Sequence, residues 1–272
     1  MTGGVCRAPA LLDCNVAIGR TAGNSMQGGR VIRTADLLGE MDRVGIAEAL
    51  VYHVLSREYD PLVGNLRVLA ELGERTRLHP VWAALPAHTG EFPRPKELMA
   101  LMSEHDVRMV RVFPAADLSG QRFSLREWCA GELLGTLEDA AVPLALDFGL
   151  FRRAEPPWPD VEEATRLHPE LKIILIGVQN RNNRSLYPLL ERHPQLYIET
   201  GGYNVHNGIE HVVQTFGPHR IVFGTGFPRS SMGAARLQLD RAEIDDSERT
   251  LIGSTNLRRL LGRPDTEQAM AR

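Results

Sequence analysis

The residues that could do chemistry here are two carboxylates, a histidine, a guanidinium and an amide, each in or closing a short apolar run. Asp147 ends Pro143-Leu144-Ala145-Leu146-Asp147, and Glu199 ends Leu196-Tyr197-Ile198-Glu199. His53 closes Val51-Tyr52-His53, Arg111 sits in Val110-Arg111-Val112, and Asn15 follows Asp13-Cys14. A carboxylate can act as general base, and an imidazole shuttles protons near neutral pH. A guanidinium grips a planar anion through forked N–H groups, and an amide can donate to a developing oxyanion. On this reading Asp147 and His53 exchange protons, Asn15 supports the oxyanion, and Arg111 holds the substrate. The opposing reading pairs Asp147 with Arg111 only to neutralise two buried charges. His53, with no visible partner, could equally be a packed, hydrogen-bonded histidine.

Two further segments carry polar groups. Gln179-Asn180-Arg181-Asn182-Asn183-Arg184 leads into a helix pattern, and its arginines suit a carboxylate or phosphate at a helix N-terminus. A solvated loop of Asx turns explains the asparagines equally well. Gly201-Gly202-Tyr203-Asn204-Val205-His206 offers Tyr203 and His206 as pocket lining, with Glu199 just before them. Arg181, Glu199, Tyr203 and His206 therefore join Arg111 as candidate substrate-binding residues.

Several chemistries have no motif. There is no GxSxG nucleophile elbow and no GxxxxGK[ST] or GxGxxG phosphate loop. Cys6, Cys14 and Cys129 show no CxxC spacing, so a reducing cytoplasm is the expected compartment. The 272 residues carry 31 basic and 34 acidic side chains, a formal charge of −3. That balance argues against a nucleic-acid binder. No signal-like segment and no apolar stretch of about 18 residues is seen, so no membrane partner is expected.

The elements that must position these residues alternate. Near-continuous Val, Ile and Leu runs fall at 10–15, 49–54, 80–85, 107–113, 142–148, 172–177, 195–200 and 220–225. Such runs suit parallel strands covered on both faces. Helical patterns lie at 36–45, 61–75, 96–105, 124–140, 161–168, 185–193, 207–216, 233–241 and 246–261. Eight βα units in this length predict a (β/α)8 TIM barrel, an α/β fold, in a single domain spanning 1–272. A doubly wound sheet is the alternative. The Gly-rich stretch 19–34 reads as a lid loop after the first strand, and 263–272 as a polar, frayed tail. His79, His168 and His193 precede prolines, and His219 follows one, each just before a predicted strand. With His105 they belong at the N-terminal face, opposite the chemistry.

The chain resembles the amidohydrolase-related (amidohydrolase 2) family of metal-dependent TIM-barrel hydrolases and decarboxylases. The resemblance runs from Leu11 to Leu261. It is carried by Asp13-Cys14-Asn15-Val16-Ala17-Ile18-Gly19, by the fifth-strand run ending at Asp147, by Ile173-Ile174-Leu175-Ile176-Gly177, and by Leu196 to Gly201. Phe223-Gly224-Thr225-Gly226-Phe227-Pro228 is the most specific match, and Asn256 with Arg259-Leu260-Leu261 marks the last helix. The resemblance implies metal ligands at positions here held by Asn15, Ala17, Asp147, Gly177 and Gly226. None of these keeps the family's residue. Alanine and glycine offer no donor, and one carboxylate with one amide does not hold zinc. No metal and no other cofactor is therefore expected. A site rescued by Asp147, His53 and Cys14 is disfavoured because strand alternation would turn Cys14 away from the axis.

Three functions follow. The first is a metal-independent hydrolase or lyase acting on a small anionic organic substrate by acid–base chemistry. The second is a non-catalytic barrel that binds a metabolite or a protein partner. The third is a metal-dependent hydrolase with a rearranged site. The resemblance also implies a homodimer.

Overall fold

The computed structural model describes residues 10–20, 31–74, 76–114, 121–148 and 157–263. Among them eight parallel strands form a barrel. The first is Leu11–Arg20 and the second Ile46–His53. The third is broken into Leu78–Pro80, paired with the second, and Trp82–Ala83, paired with the fourth. The fourth to eighth are Val110–Val112, Leu144–Asp147, Ile173–Ile176, Leu196–Glu199 and Ile221–Val222. The first strand closes on the chain after the eighth. Cys14 N–H donates to the Phe223 carbonyl and Ala17 N–H to that of Phe227, both at 2.9 Å. The expected strands are all present, most of them shorter than the apolar runs.

Two apolar layers explain the continuous hydrophobic runs. Leu144, Leu146, Ile173, Leu175, Leu196 and Ile198 face outward onto the helices. Ala145, Ile174, Ile176, Met109 and Val222 alternate with them and fill the barrel interior. Period-two alternation of this kind assigns Arg111, Asp147 and Glu199 to the inside.

The first strand breaks the alternation. Asp13 pairs with Ala49 but Val16 pairs with Val51, so three steps on one strand face two on the other. That irregularity is a bulge, and it re-aims side chains. Cys14 packs with Leu12 in the interior cluster, and the Asn15 side chain reaches Arg111 and Glu199. The expected outward turn of Cys14 is thus corrected: the extra residue lets both neighbours face in.

The helices follow the predicted pattern with trimmed ends. Helix Pro61–Leu72 starts on Asp60, whose side chain accepts from Val63 N–H at 2.9 Å, with Pro61 in the first turn. Helix Thr34–Val44 stops at Gly45 with φ of 77°. The last predicted helix, 246–261, is not continuous. Asp246–Thr250 and Asn256–Leu260 flank a π turn at Leu251–Thr255. There the Ile252 carbonyl accepts from Phe223 N–H at 3.0 Å, so the widened turn ties the helix to the barrel.

Of the expected lid, 21–30 lies outside the described residues. Its flanks pair as an antiparallel ribbon, Gly19 with Ile32 and Arg20 with Val31. Of the expected frayed tail, 264–272 lies outside them too. Arg263 itself is anchored, 2.9 Å from His79 Nδ1 and 3.2 Å from Asp106. Among the described residues no helix is long and apolar enough to cross a membrane.

Candidate functional site

The polar centre lies where the strands end. Arg111, on the fourth strand, is 1% exposed, and Asp147, on the adjacent fifth, is 0% exposed. The Arg111 Nε and Nη2 groups both donate to Asp147 Oδ2, Nε at 3.1 Å. Nη2 also donates to Asn15 Oδ1 at 3.0 Å. The guanidinium carbon lies 4.3 Å from the centre of the Tyr52 ring and 5.5 Å from that of Phe113. Aromatic faces and a carboxylate therefore surround a buried cation.

Asn15 extends the network. Its Nδ2 donates to Glu199 Oε1 at 3.5 Å. Glu199 also accepts from the backbone N–H groups of Gly201 at 2.6 Å, Gly177 at 3.0 Å and Gly202 at 3.2 Å. It ties the end of the sixth strand to the turn after the seventh. Beneath it, Asp13 accepts from Thr225 Oγ1 at 2.5 Å, Thr225 N–H at 3.0 Å and Asn15 N–H at 2.9 Å.

Burial and charge act in opposite directions on these groups. Burial pushes the Asp147 carboxyl up, but the guanidinium groups of Arg111, Arg229 and Arg57 outweigh it and hold the pKa at about 2. Asp13 has no such cation. Burial raises it to about 6 despite its hydrogen bonds from Thr225 and Asn15. Burial likewise pushes Glu199 up, against the pull of the Gly201 and Gly177 N–H groups and Arg111. The buried Cys14 thiol is pushed up by burial and by Glu199 and Asp13, which disfavours a thiolate there.

The candidates named from the sequence separate into two groups. Asn15, Arg111, Asp147 and Glu199 come together. His53 does not join them. It follows outward-facing Val51, lies 3.7 Å from Glu71 on helix Pro61–Leu72, and its Nδ1 accepts from Leu55 N–H at 3.2 Å. Tyr52, one residue earlier, takes the inward position. Burial lowers the His53 pKa, opposed by Glu71. Proton exchange between His53 and Asp147 is thus not supported by the geometry.

Tyr203 also points outward, into the helix layer. Its hydroxyl donates to Asn183 Oδ1 at 2.9 Å and lies 3.0 Å from the Tyr187 hydroxyl. Arg181 is exposed on the Asn180–Asn182 turn and His206 is exposed after the seventh strand. These three lie apart from the cluster.

Two cations escaped the sequence reading. Arg57 lies in the short helix Leu55–Glu58 and is buried; it pairs with Glu58, and its Nε has no hydrogen-bond partner among the described residues. Arg229 follows Phe227-Pro228, is half-buried, and forms no side-chain hydrogen bond or ion pair with the described residues. Only their places just after the second and eighth strands could have flagged them.

The family's ion does not fit this donor set. Asp147 already accepts from Arg111, and both ends of the Asn15 amide are engaged. Ala17, Gly177 and Gly226 bring no side-chain donor, and a guanidinium stands beside the one carboxylate. Among the described residues no group of three His, Cys, Asp or Glu could hold a metal. The rescue through Asp147, His53 and Cys14 loses His53, which faces the helices.

The sequence profile of the amidohydrolase family matches residues 63–263. The chain belongs to the amidohydrolase family. No curated protein matches it in sequence. Solved structures share the fold of this family member. One is 5-carboxyvanillate decarboxylase from Sphingomonas paucimobilis, at 13% identity and a TM-score of 0.72, covering 94% of this chain and 100% of that one. Another is 2,6-dihydroxybenzoate decarboxylase from Rhizobium, at 18% identity and 0.69, covering 93% and 99%. A third is dihydroxybenzoic acid decarboxylase from Polaromonas sp. JS666, with bound manganese and the inhibitor 2-nitroresorcinol, at 15% identity and 0.68, covering 93% and 97%. The (β/α)8 barrel expected from periodicity is the fold of this family.

Proposed function

We propose that this amidohydrolase-family barrel binds a small organic acid at its mouth without the family's ion, and binds it without transforming it. The observation that carries the reading is the buried Arg111–Asp147–Asn15 cluster. A guanidinium supplies the positive charge at the strand ends where the family pattern puts ligands for a cation. Asp147 is hydrogen-bonded twice and its pKa is held at about 2, so it is too weak a base to take a proton near neutral pH. His53 faces the helices and cannot help it. The acid–base enzyme read from the sequence therefore loses both of its proton carriers.

The likeness to decarboxylases of hydroxybenzoates names a probe. Calorimetry and thermal melting with 2,6-dihydroxybenzoate should show binding and a raised Tm, with no carbon dioxide released. Absence of binding contradicts the reading, and so does release of carbon dioxide.

One observation favours a second reading, the metal-independent lyase or hydrolase. Burial raises both Asp13 and Glu199, Asp13 to about 6, so a buried carboxyl can hold a proton close to physiological pH. Carbon dioxide release that survives exhaustive chelation selects it.

A further inference from the structure

Arg111 has hydrogen bonds from Nε and Nη2 but, among the described residues, none from Nη1. Its Nε and Nη2 bond Asp147 and Asn15, and the Tyr52 and Phe113 rings lie against it. With Nε and Nη2 taken, it does not present a free two-nitrogen fork to an incoming carboxylate. Arg57 differs. It is 4% exposed, its partner Glu58 engages Nη2, and its Nε is a buried donor with no acceptor among the described residues. A buried N–H left unmade costs about 1–3 kcal/mol, more on a charged group, so such a donor gains by meeting an acceptor that a ligand brings. Arg229, on the loop after the eighth strand, is a second guanidinium without a hydrogen-bonded side-chain partner among the described residues.

Both follow strand ends on the same side of the barrel, Arg57 after the second strand and Arg229 after the eighth. Arg57 and Arg229 each act on Asp147, Arg57 also on the Tyr52 phenol, and Arg229 also on Glu199. The second-strand and eighth-strand ends thus present two guanidinium groups that are incompletely paired among the described residues, beside the Arg111–Asp147–Asn15 cluster.

On the binding reading proposed above, we infer that the ligand's carboxylate is held by Arg57 and Arg229, not by Arg111. A planar carboxylate accepts two N–H bonds from an arginine fork, which suits the free Nε edge of Arg57. Asp147 and Glu58 already place negative charge nearby, so a monoanion fits better than a phosphate dianion. The scaffold's cation is built in, and the ligand's counter-charge comes from the two arginines that the network leaves out.

The test is calorimetric titration of the full chain with 2,6-dihydroxybenzoate, its neutral amide 2,6-dihydroxybenzamide, and inorganic phosphate. Wild type, Arg57→Lys and Arg229→Gln are compared. Arg57→Lys keeps the charge and loses the Nε–H. Arg229 makes no side-chain hydrogen bond to the described residues, so its replacement removes a charge without breaking a bond there and decides the matter if Arg57→Lys melts. The acid should bind wild type and weaken by about tenfold or more in each folded variant, a loss typical of one charge-assisted contact. The amide should bind all three equally weakly, and phosphate should not compete. Affinity for the acid within about twofold of wild type in both variants overturns the arginine assignment and leaves the binding reading standing. Phosphate that displaces the acid overturns the carboxylate preference. Failure of wild type to bind the acid overturns the binding reading and the assignment with it.

Discussion

Arg111 and Asp147 lie on adjacent strands, and two guanidinium nitrogens share one carboxylate oxygen, Asp147 Oδ2, with Nε at 3.1 Å. Both residues are out of contact with water. Removing one partner strands a buried charge, whereas removing both exchanges the pair for apolar volume. Arg111→Leu and Asp147→Leu should each lower stability by about 3–5 kcal/mol, and the double variant by much less than the sum. Chemical denaturation of the four proteins checks this. Additive losses would show that the two charges do not depend on each other.

The acid limb of the stability profile has a fixed sign. Asp147 is lowered from 3.8 to about 2 by its arginines, and Glu48 from 4.5 to about 2 by His79 and Arg258. A carboxyl lowered in the folded state stabilises above its unfolded pKa and loses that contribution as pH falls through the folded value. Stability should therefore drop between about pH 4 and pH 2. Asp13 runs the other way. Raised from 3.8 to about 6 by burial, it favours the fold below pH 4 and loses that contribution as pH rises through 6. Carboxyl carbon NMR should show Asp13 titrating near 6 while Asp147 stays ionised down to about 2. Both titrating near 4 contradicts the electrostatics.

Gly224 is the close-approach position of the site. A Cβ there would lie 2.6 Å from Glu199 Oε2, 3.0 Å from Cys14 Sγ and 3.2 Å from Asn15 Cβ. Gly224→Ala should cost about 1–3 kcal/mol and weaken ligand binding, because Glu199 and Asn15 must move. A melting curve with a ligand titration measures both. A variant as stable as wild type, with unchanged affinity, would mean that the network tolerates displacement.

His53→Gln separates the sequence reading from the geometry. The side chain faces Glu71, outside the barrel. The variant should bind ligand within about twofold of wild type and lose at most about 1 kcal/mol of stability. A large loss of affinity with stability intact would return His53 to the site.

The fold was legible because eight apolar runs alternate with amphipathic segments, and this survived wherever strand ends were trimmed. The pairing of Arg111 with Asp147 was legible too, since adjacent strands in register bring them together. The face of a side chain was harder to read. His53 and Tyr52 differ by one residue, and only the register of Leu50 and Val51 decides which of them enters the barrel. The bulge at Cys14-Asn15 could not be read at all, because it is set by the pairing of Asp13 and Val16 with another strand. Arg57 and Arg229 lie just past strand ends, in segments whose local pattern gives no direction.

Metal content tests the account most directly. Protein purified without chelator from medium supplemented with manganese and zinc should carry less than about 0.1 ion per chain by elemental analysis, because the donors a divalent ion needs are missing or bonded to Arg111. About one manganese, zinc or iron per chain, removed by chelator together with ligand binding, would show that an ion and not Arg111 charges the mouth of the barrel.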